Sequence, residues 1–254
     1  MEQKILITGA AGKIGQHITK TLMEQTNYPL KLADINLLPL EKFKKLSGHE
    51  VTYLDISSLE ECQEACKNIN IVIHLAGDPS PNADFYSSLL ENTIKGSYNI
   101  FKAASDNGVT RVIAASSAQT VEGYPLDFQV TDSSPVRPKN MYGVSKCFVE
   151  ALASYFAYEK HLQSIVIRIG AYDDYKPEGQ PLSARDMSAY ISPEDFSDLL
   201  LKTITAKNLP HFSILHGLSD NRFKRLNIEE TKRLVGYTPN SDAFKLSGIH
   251  FIDR

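Results

Sequence analysis

The chain has 254 residues, 42% of them hydrophobic and 22% charged, with a formal net charge of −3. That length allows a sizeable core, and the near-neutral balance provides no basic field for a nucleic-acid partner. Cys62, Cys66 and Cys147 are too few and too scattered for a disulfide framework, and no run approaches the ~20 apolar residues of a membrane span.

The first apolar run, "KILIT" (4–8), reads as a strand with no basic, signal-like stretch ahead of it. A cytoplasmic protein without membrane or nucleic-acid partners is expected. "TGAAGKIG" (8–15) follows at once and opens a helix over 13–24, so Gly9, Gly12 and Gly15 fall between strand and helix. Glycines there permit a tight turn and let a pyrophosphate approach backbone N–H groups at a positive helix terminus. The next strand, "LKLAD" (30–34), ends in Asp34, where a carboxylate accepts hydrogen bonds from ribose hydroxyls and repels an extra phosphate. NAD is therefore the expected cofactor. Lys13 is the feature that would suit NADP, and a mere turn cap is the plain alternative for Asp34. "VTYLD" (51–55) ends in Asp55 in the same manner, at the adenine edge.

A helix over 59–67 carries Cys62 and Cys66 on one face as small apolar residues, and "INIVIHLA" (69–76) is the fourth strand, with His74 a structural strand-end residue. A long helix is expected over 84–105, then "RVIAAS" (111–116) brings Ser116 and Ser117 to a strand end. The pentapeptide "YGVSK" (142–146) starts a helix over 141–160 and sets Tyr142 and Lys146 one turn apart on one face. Taken alone, the pair reads equally as a core aromatic and a solvated lysine. "SIVIRI" (164–169), a loop over 172–186, a helix capped by Ser192 with Pro193 at its first position, and "FSILH" (212–216) complete the series. The histidines have no metal-ligand spacing, so no metal site is expected.

Nearly all-apolar strands alternating with helices predict an α/β fold, a doubly wound (Rossmann) parallel sheet with helices on both faces. One domain over 1–254 is expected, with a small substrate-side lobe from 171–192 and 217–254.

The glycine turn, Asp34, Asp55, "HLAG" (74–77), the serine pair and "YGVSK", in that order, resemble the extended branch of the short-chain dehydrogenases/reductases, the NAD-dependent epimerase/dehydratase family. The resemblance implies that Tyr142 is a general base, that Lys146 lowers its pKa and holds the nicotinamide ribose, and that Ser117 fixes the substrate oxygen. It also places Lys13, Ile14, Ile56, Leu75, Ala76, Gly77 and Asn92 against the cofactor. A homodimer is implied by analogy, through helices 84–105 and 141–160, with Phe85, Leu89, Phe101, Phe148, Leu152 and Phe156 as surplus apolar residues.

Within the branch, "YGVSKCFVEALA", "IRIG" (167–170), "RDMSAY" (185–190), "SPEDF" (192–196) and "GYTP" (236–239) resemble the uronate dehydrogenases. These oxidise the C1 hydroxyl of a hexuronic acid with NAD⁺. Arg185 matches the arginine that grips the substrate carboxylate, the plain alternative being a surface arginine. Ala118, Gln119 and Ala171 depart from that family's polar residues, so the redox centre carries over better than the substrate. A sugar or sugar-acid dehydrogenase is the leading expectation. An epimerase returning its hydride to the sugar is second, and a non-catalytic dinucleotide-binding regulator is third. A dehydratase ranks lower, because "SSAQTVEG" offers only Glu122 where an acidic pair is needed.

Overall fold

The computed structural model describes residues 3–44, 48–175 and 182–249. Residues 176–181 of the expected loop and 250–254 of the expected lobe lie outside them. The central strand β1 (Ile5–Thr8) is wholly buried, and alternate residues serve opposite faces. Ile5 and Ile7 join one core with Ile18 and Leu22 of helix α1 (Lys13–Gln25); Leu6 joins the other with Cys62, Phe101 and Phe156. Two covered faces explain why the strands read as apolar runs rather than as alternating ones.

All seven strands of the main sheet are parallel, in the order β3 (His49–Tyr53), β2 (Leu30–Asp34), β1, β4 (Ile71–His74), β5 (Arg111–Ser117), β6 (Gln163–Ile169), β9 (Phe212–Gly217). The chain reverses its winding between β1 and β4. Their carboxyl ends therefore diverge into a crevice, the usual ligand position in such sheets. The expected doubly wound fold is the observed one.

Some boundaries moved. Edge strand β3 runs two residues ahead of its expected start and stops at Tyr53, leaving Asp55 in the following turn. Helix α2 (Leu59–Ala65) is capped by Ser58 and buries Cys62, while Cys66 at its end is also buried. Burial pushes both thiols up to about 12, which suits inert apolar packing. The long helix expected over 84–105 begins as a π-wound stretch, Phe85–Lys95, with the Leu89 N–H donating five residues back to the Asp84 carbonyl at 3.0 Å. It tightens into α3 (Gly96–Asp106) where Gly96 lies against the Ile56 side chain, which a Cβ there would have to displace.

Helix α4 (Met141–Glu159) packs against β5 and β6. Beyond β6, a short parallel pair absent from the sequence reading, β7 (Ala171–Tyr172) and β8 (Tyr190–Ile191), brackets α5 (Ala184–Ala189). Such two-residue strands carry too little pattern to be read. Helix α6 (Pro193–Thr205) has its expected Ser192 cap, accepting from the Asp195 N–H at 3.1 Å. Then come α7 (Glu229–Val235) and α8 (Ala243–Leu246). Met187 and Tyr190 pack with Ala243 and Phe244 in a small satellite core.

Among the described residues no helix is long and apolar enough to cross a membrane. Four of the six apolar residues expected on an outer helix face, Leu89, Phe101, Leu152 and Phe156, are instead buried inside this chain. α3 and α4 bury apolar residues against each other as well as against the sheet, which accounts for the surplus. The large apolar residues the long helices expose are Tyr86, Tyr98, Met141, Val144, Tyr155 and Tyr158.

Candidate active site

The turn after β1 is built for close backbone approach. Gly9 has a φ of 71°, and a Cβ there would come within 2.6 Å of the Ala76 nitrogen. Gly12 caps α1 without a side-chain partner, so the helix presents its first-turn N–H groups and partial positive charge at the crevice. Asp34, at the end of β2, accepts from the Ala11 and Asn36 N–H groups, each at 2.9 Å. Those bonds fix the carboxylate and leave lone pairs for ribose hydroxyls. Asp55 is held by the Ser57 N–H at 2.8 Å.

From this turn a cleft of about 910 Å³ runs along the sheet edge to Arg185. Gly9, Gly12, Lys13, Ile14, Gly15, Asp34, Asp55, Ile56, Leu75, Ala76, Gly77, Asn92, Ser117, Tyr142, Lys146 and Arg185 all line it. The volume, the side-chain-free glycine cradle, the uncapped helix start and the fixed carboxylate fit a dinucleotide. Lys13, the residue that would suit NADP, is engaged by Asp173 at 2.9 Å and lies over the Tyr172 ring. Among the described residues no cluster of His, Cys, Asp or Glu fits a metal ion.

Asn140 caps α4, accepting from the Gly143 N–H at 2.8 Å, which aims the first turn at the cleft. Gly143 has no room for a Cβ against the Gln119 carbonyl, so the helix sits directly on the turn after β5. Tyr142 and Lys146 are both buried at that wall; the Lys146 ammonium donates to the Ala115 carbonyl at 2.9 Å. Ser117 stands beside Tyr142, close enough for its hydroxyl to lower the pKa of the phenol. Its neighbour Ser116 faces away and donates to Glu150 at 2.6 Å; Glu150 in turn holds Arg168 through two bonds of 2.8 Å. This buried network ties β5, α4 and β6 together, and so sets Ser117 against Tyr142.

The electrostatics differ from expectation. Burial raises the Tyr142 pKa, with the neighbouring Ser117 hydroxyl lowering it and the Asp78 charge raising it. Burial also pushes Lys146 down to about 8. These side chains alone therefore do not produce the expected depression of Tyr142: desolvation of the phenolate is the largest effect on it, and the lowering comes from Ser117. His74 bonds to Thr8 and Ser97, and burial pushes it down to about 3, a neutral structural residue as expected.

At the far end, Arg185 on α5 is already gripped. Its Nε donates to Glu122 Oε1 at 2.9 Å, its Nη2 to Glu122 Oε2 at 2.6 Å, and its Nη1 to Asp186 at 2.8 Å. Sequence reasoning missed this partnership, and missed Asp78, Tyr172 and Asp173 near the cleft. Asp78, directly after "HLAG", had a legible signal as an acidic residue beyond a strand end. Glu122 was legible only as a lone acid after the serine pair, and Asp173 had no signal. Gln119, at a position where the resembled family carries a histidine, accepts from Asn140 at 2.9 Å.

A model of the NAD dependent epimerase/dehydratase family matches residues 5–179. The chain is 31% identical over 263 aligned positions to the NAD-dependent glucose-6-phosphate dehydrogenase of Haloferax volcanii, covering 98% of each protein. It is 28% identical to the uronate dehydrogenase of Pseudomonas putida, across 95% of this chain and 86% of that one. A mutant uronate dehydrogenase from Agrobacterium tumefaciens, solved in complex with NAD, superposes with a TM-score of 0.83 at 26% identity, covering 100% of this chain and 92% of that one. With the family model spanning more than half of the chain, the chain belongs to the NAD-dependent epimerase/dehydratase family, the extended short-chain dehydrogenases/reductases, and is an NAD-dependent enzyme.

Proposed function

We propose that this enzyme is a dehydrogenase acting on a hydroxyl-bearing carbon of a sugar or sugar acid, at C1 by its likeness to the uronate dehydrogenases. The observation that carries this reading is the juxtaposition of Ser117, Tyr142 and Lys146 on one wall of a dinucleotide-sized cleft. Bound NAD⁺ supplies the hydride acceptor. Tyr142 as phenolate takes the substrate hydroxyl proton while the C–H bond is lost as hydride and a C=O bond forms. Ser117 donates to the same oxygen and fixes it against the phenol. Lys146, held by the Ala115 carbonyl, keeps a positive charge near the phenol and favours its ionised form. Asp34 orients the adenosine ribose from the opposite end. The nearly full-length likeness to a sugar-phosphate dehydrogenase and to uronate dehydrogenases supports the substrate class.

The test is NADH formation, followed by absorbance, with a panel of aldoses, sugar phosphates and uronic acids. Turnover that disappears in Tyr142→Phe supports the reading. Interconversion of sugars without net NADH would identify an epimerase instead.

A further inference from the structure

We propose that Glu122 determines charge preference at the substrate end of the cleft: by occupying Arg185 it directs the enzyme to neutral sugars over carboxylate- or phosphate-bearing ones. This rests on the dehydrogenase reading above. Among the described residues Arg185 is the one arginine lining the cleft. A carboxylate is held best side-on, through two parallel N–H bonds. Glu122 already fills that face, bonding to both Nε and Nη2. Asp186 takes a third N–H, so the three side chains sum to one net negative charge.

Glu122 is not a mobile surface partner that an incoming anion displaces at little cost. Its side chain is 12% exposed, against 23% for Arg185. The turn carrying it is pinned by the buried Arg225, which donates to the Tyr124 carbonyl at 2.6 Å and the Phe128 carbonyl at 3.1 Å. The Gly123 N–H adds a bond to the Arg137 carbonyl at 2.7 Å. A substrate carboxylate would have to expel a nearly buried carboxylate and leave it without its counter-charge. A second acidic group, Asp78, lines the cleft within reach of the Tyr142 phenol electrostatically.

A neutral sugar meets different conditions. Of the five guanidinium N–H groups three are spent, and the remaining two can donate to hydroxyl oxygens. The arginine whose charge Glu122 offsets therefore still suits a polyol edge.

The test compares kcat/KM for D-glucose and D-galactose with that for D-glucuronate, D-galacturonate and D-glucose 6-phosphate, in wild type, Glu122→Gln, Glu122→Ala and Glu122→Asp. Wild type is expected to favour the neutral sugars by about tenfold or more. Glu122→Gln should move the ratio toward the anions by a similar factor, chiefly through their KM, while Glu122→Asp restores the wild-type order. Thermal melting and NAD⁺ titration confirm that each variant is folded, and Glu122→Ala covers misplacement of the glutamine. A wild type that prefers uronates, or folded Glu122 variants with an unchanged ratio, overturns the proposal. Calorimetric titration of NADH-loaded protein with D-glucuronate reads the same preference without turnover. If no sugar is oxidised, the dehydrogenase reading fails. The charge proposal then fails as well if Glu122→Gln binds D-glucuronate no tighter than wild type, and stands as a binding preference if it binds tighter.

Discussion

The Lys146 Nζ lies 5.6 Å from the centre of the Tyr142 ring, one helical turn along α4, in a wall where both residues are buried. Because burial holds Lys146 at about 8 rather than 10.5, the folded chain binds fewer protons than the unfolded one between those pH values. Stability therefore rises with pH across that window, and the full penalty is present below about 8. Lys146→Met should abolish this slope and raise the nucleotide-free Tm at pH 7. The gain is at most on the order of 3 kcal/mol, less about 1 for the lost Ala115 bond. Melts of both proteins from pH 7 to 10 check this: the gap should close with rising pH. NAD⁺ binding by the variant should be weakened at every pH.

Tyr142→Phe should remove turnover while leaving NAD⁺ affinity and Tm nearly unchanged, since it deletes one hydroxyl and keeps the ring. Ser117→Ala should lower kcat by about 10²-fold. Because burial raises Tyr142, wild-type activity in the oxidative direction should climb with pH as the phenol ionises. A flat profile from pH 6 to 10, with chemistry rate-limiting, would remove Tyr142 as the base.

NAD⁺ should bind about tenfold or more tightly than NADP⁺ if the Asp34 carboxylate, fixed by two backbone N–H groups, receives the adenosine ribose as proposed. Asp34→Ala should narrow that gap, and Lys13→Ala should not widen it, as Lys13 is committed to Asp173. Calorimetry with both nucleotides reads each outcome directly.

Glu150→Ala should cost about 3–5 kcal/mol, since Arg168, 2% exposed, would be left as an uncompensated buried charge. Urea denaturation measures the loss. Residual activity should fall further than the folded fraction, because the same carboxylate holds Ser116 and thereby the strand carrying Ser117.

A homodimer is expected through the outer faces of the Phe85–Asp106 helix and α4, where Tyr86, Tyr98, Tyr155 and Tyr158 are exposed. Light scattering at micromolar concentration should give twice the chain mass. Tyr155→Glu together with Tyr158→Glu should yield monomers.

Local patterns were enough to read from the sequence the seven strands, the glycine turn, the cap at Ser192, the helix start at Tyr142, and the placing of Asp34 and Ser117 at strand ends. Each of these depends on residues within a few positions of one another: an apolar run buried on both faces, a glycine where a Cβ collides, a phenol and an ammonium one turn apart. The sheet order then follows from short right-handed connections, which bring strand ends to one edge and the expected cofactor residues into one cleft. What the sequence left open lies in contacts between segments with no shared pattern. Glu122 meets Arg185 across 63 positions, and Lys13 meets Asp173 across 160. An isolated glutamate beside a strand end and an isolated arginine after a loop each read as ordinary surface charges. Only the packing of α5 against the turn beyond β5 brings them together, and with them the charge at the substrate end. The ionisation of Tyr142 and Lys146 is likewise a tertiary property. Spacing places the two groups, but the depth of burial determines what each proton costs.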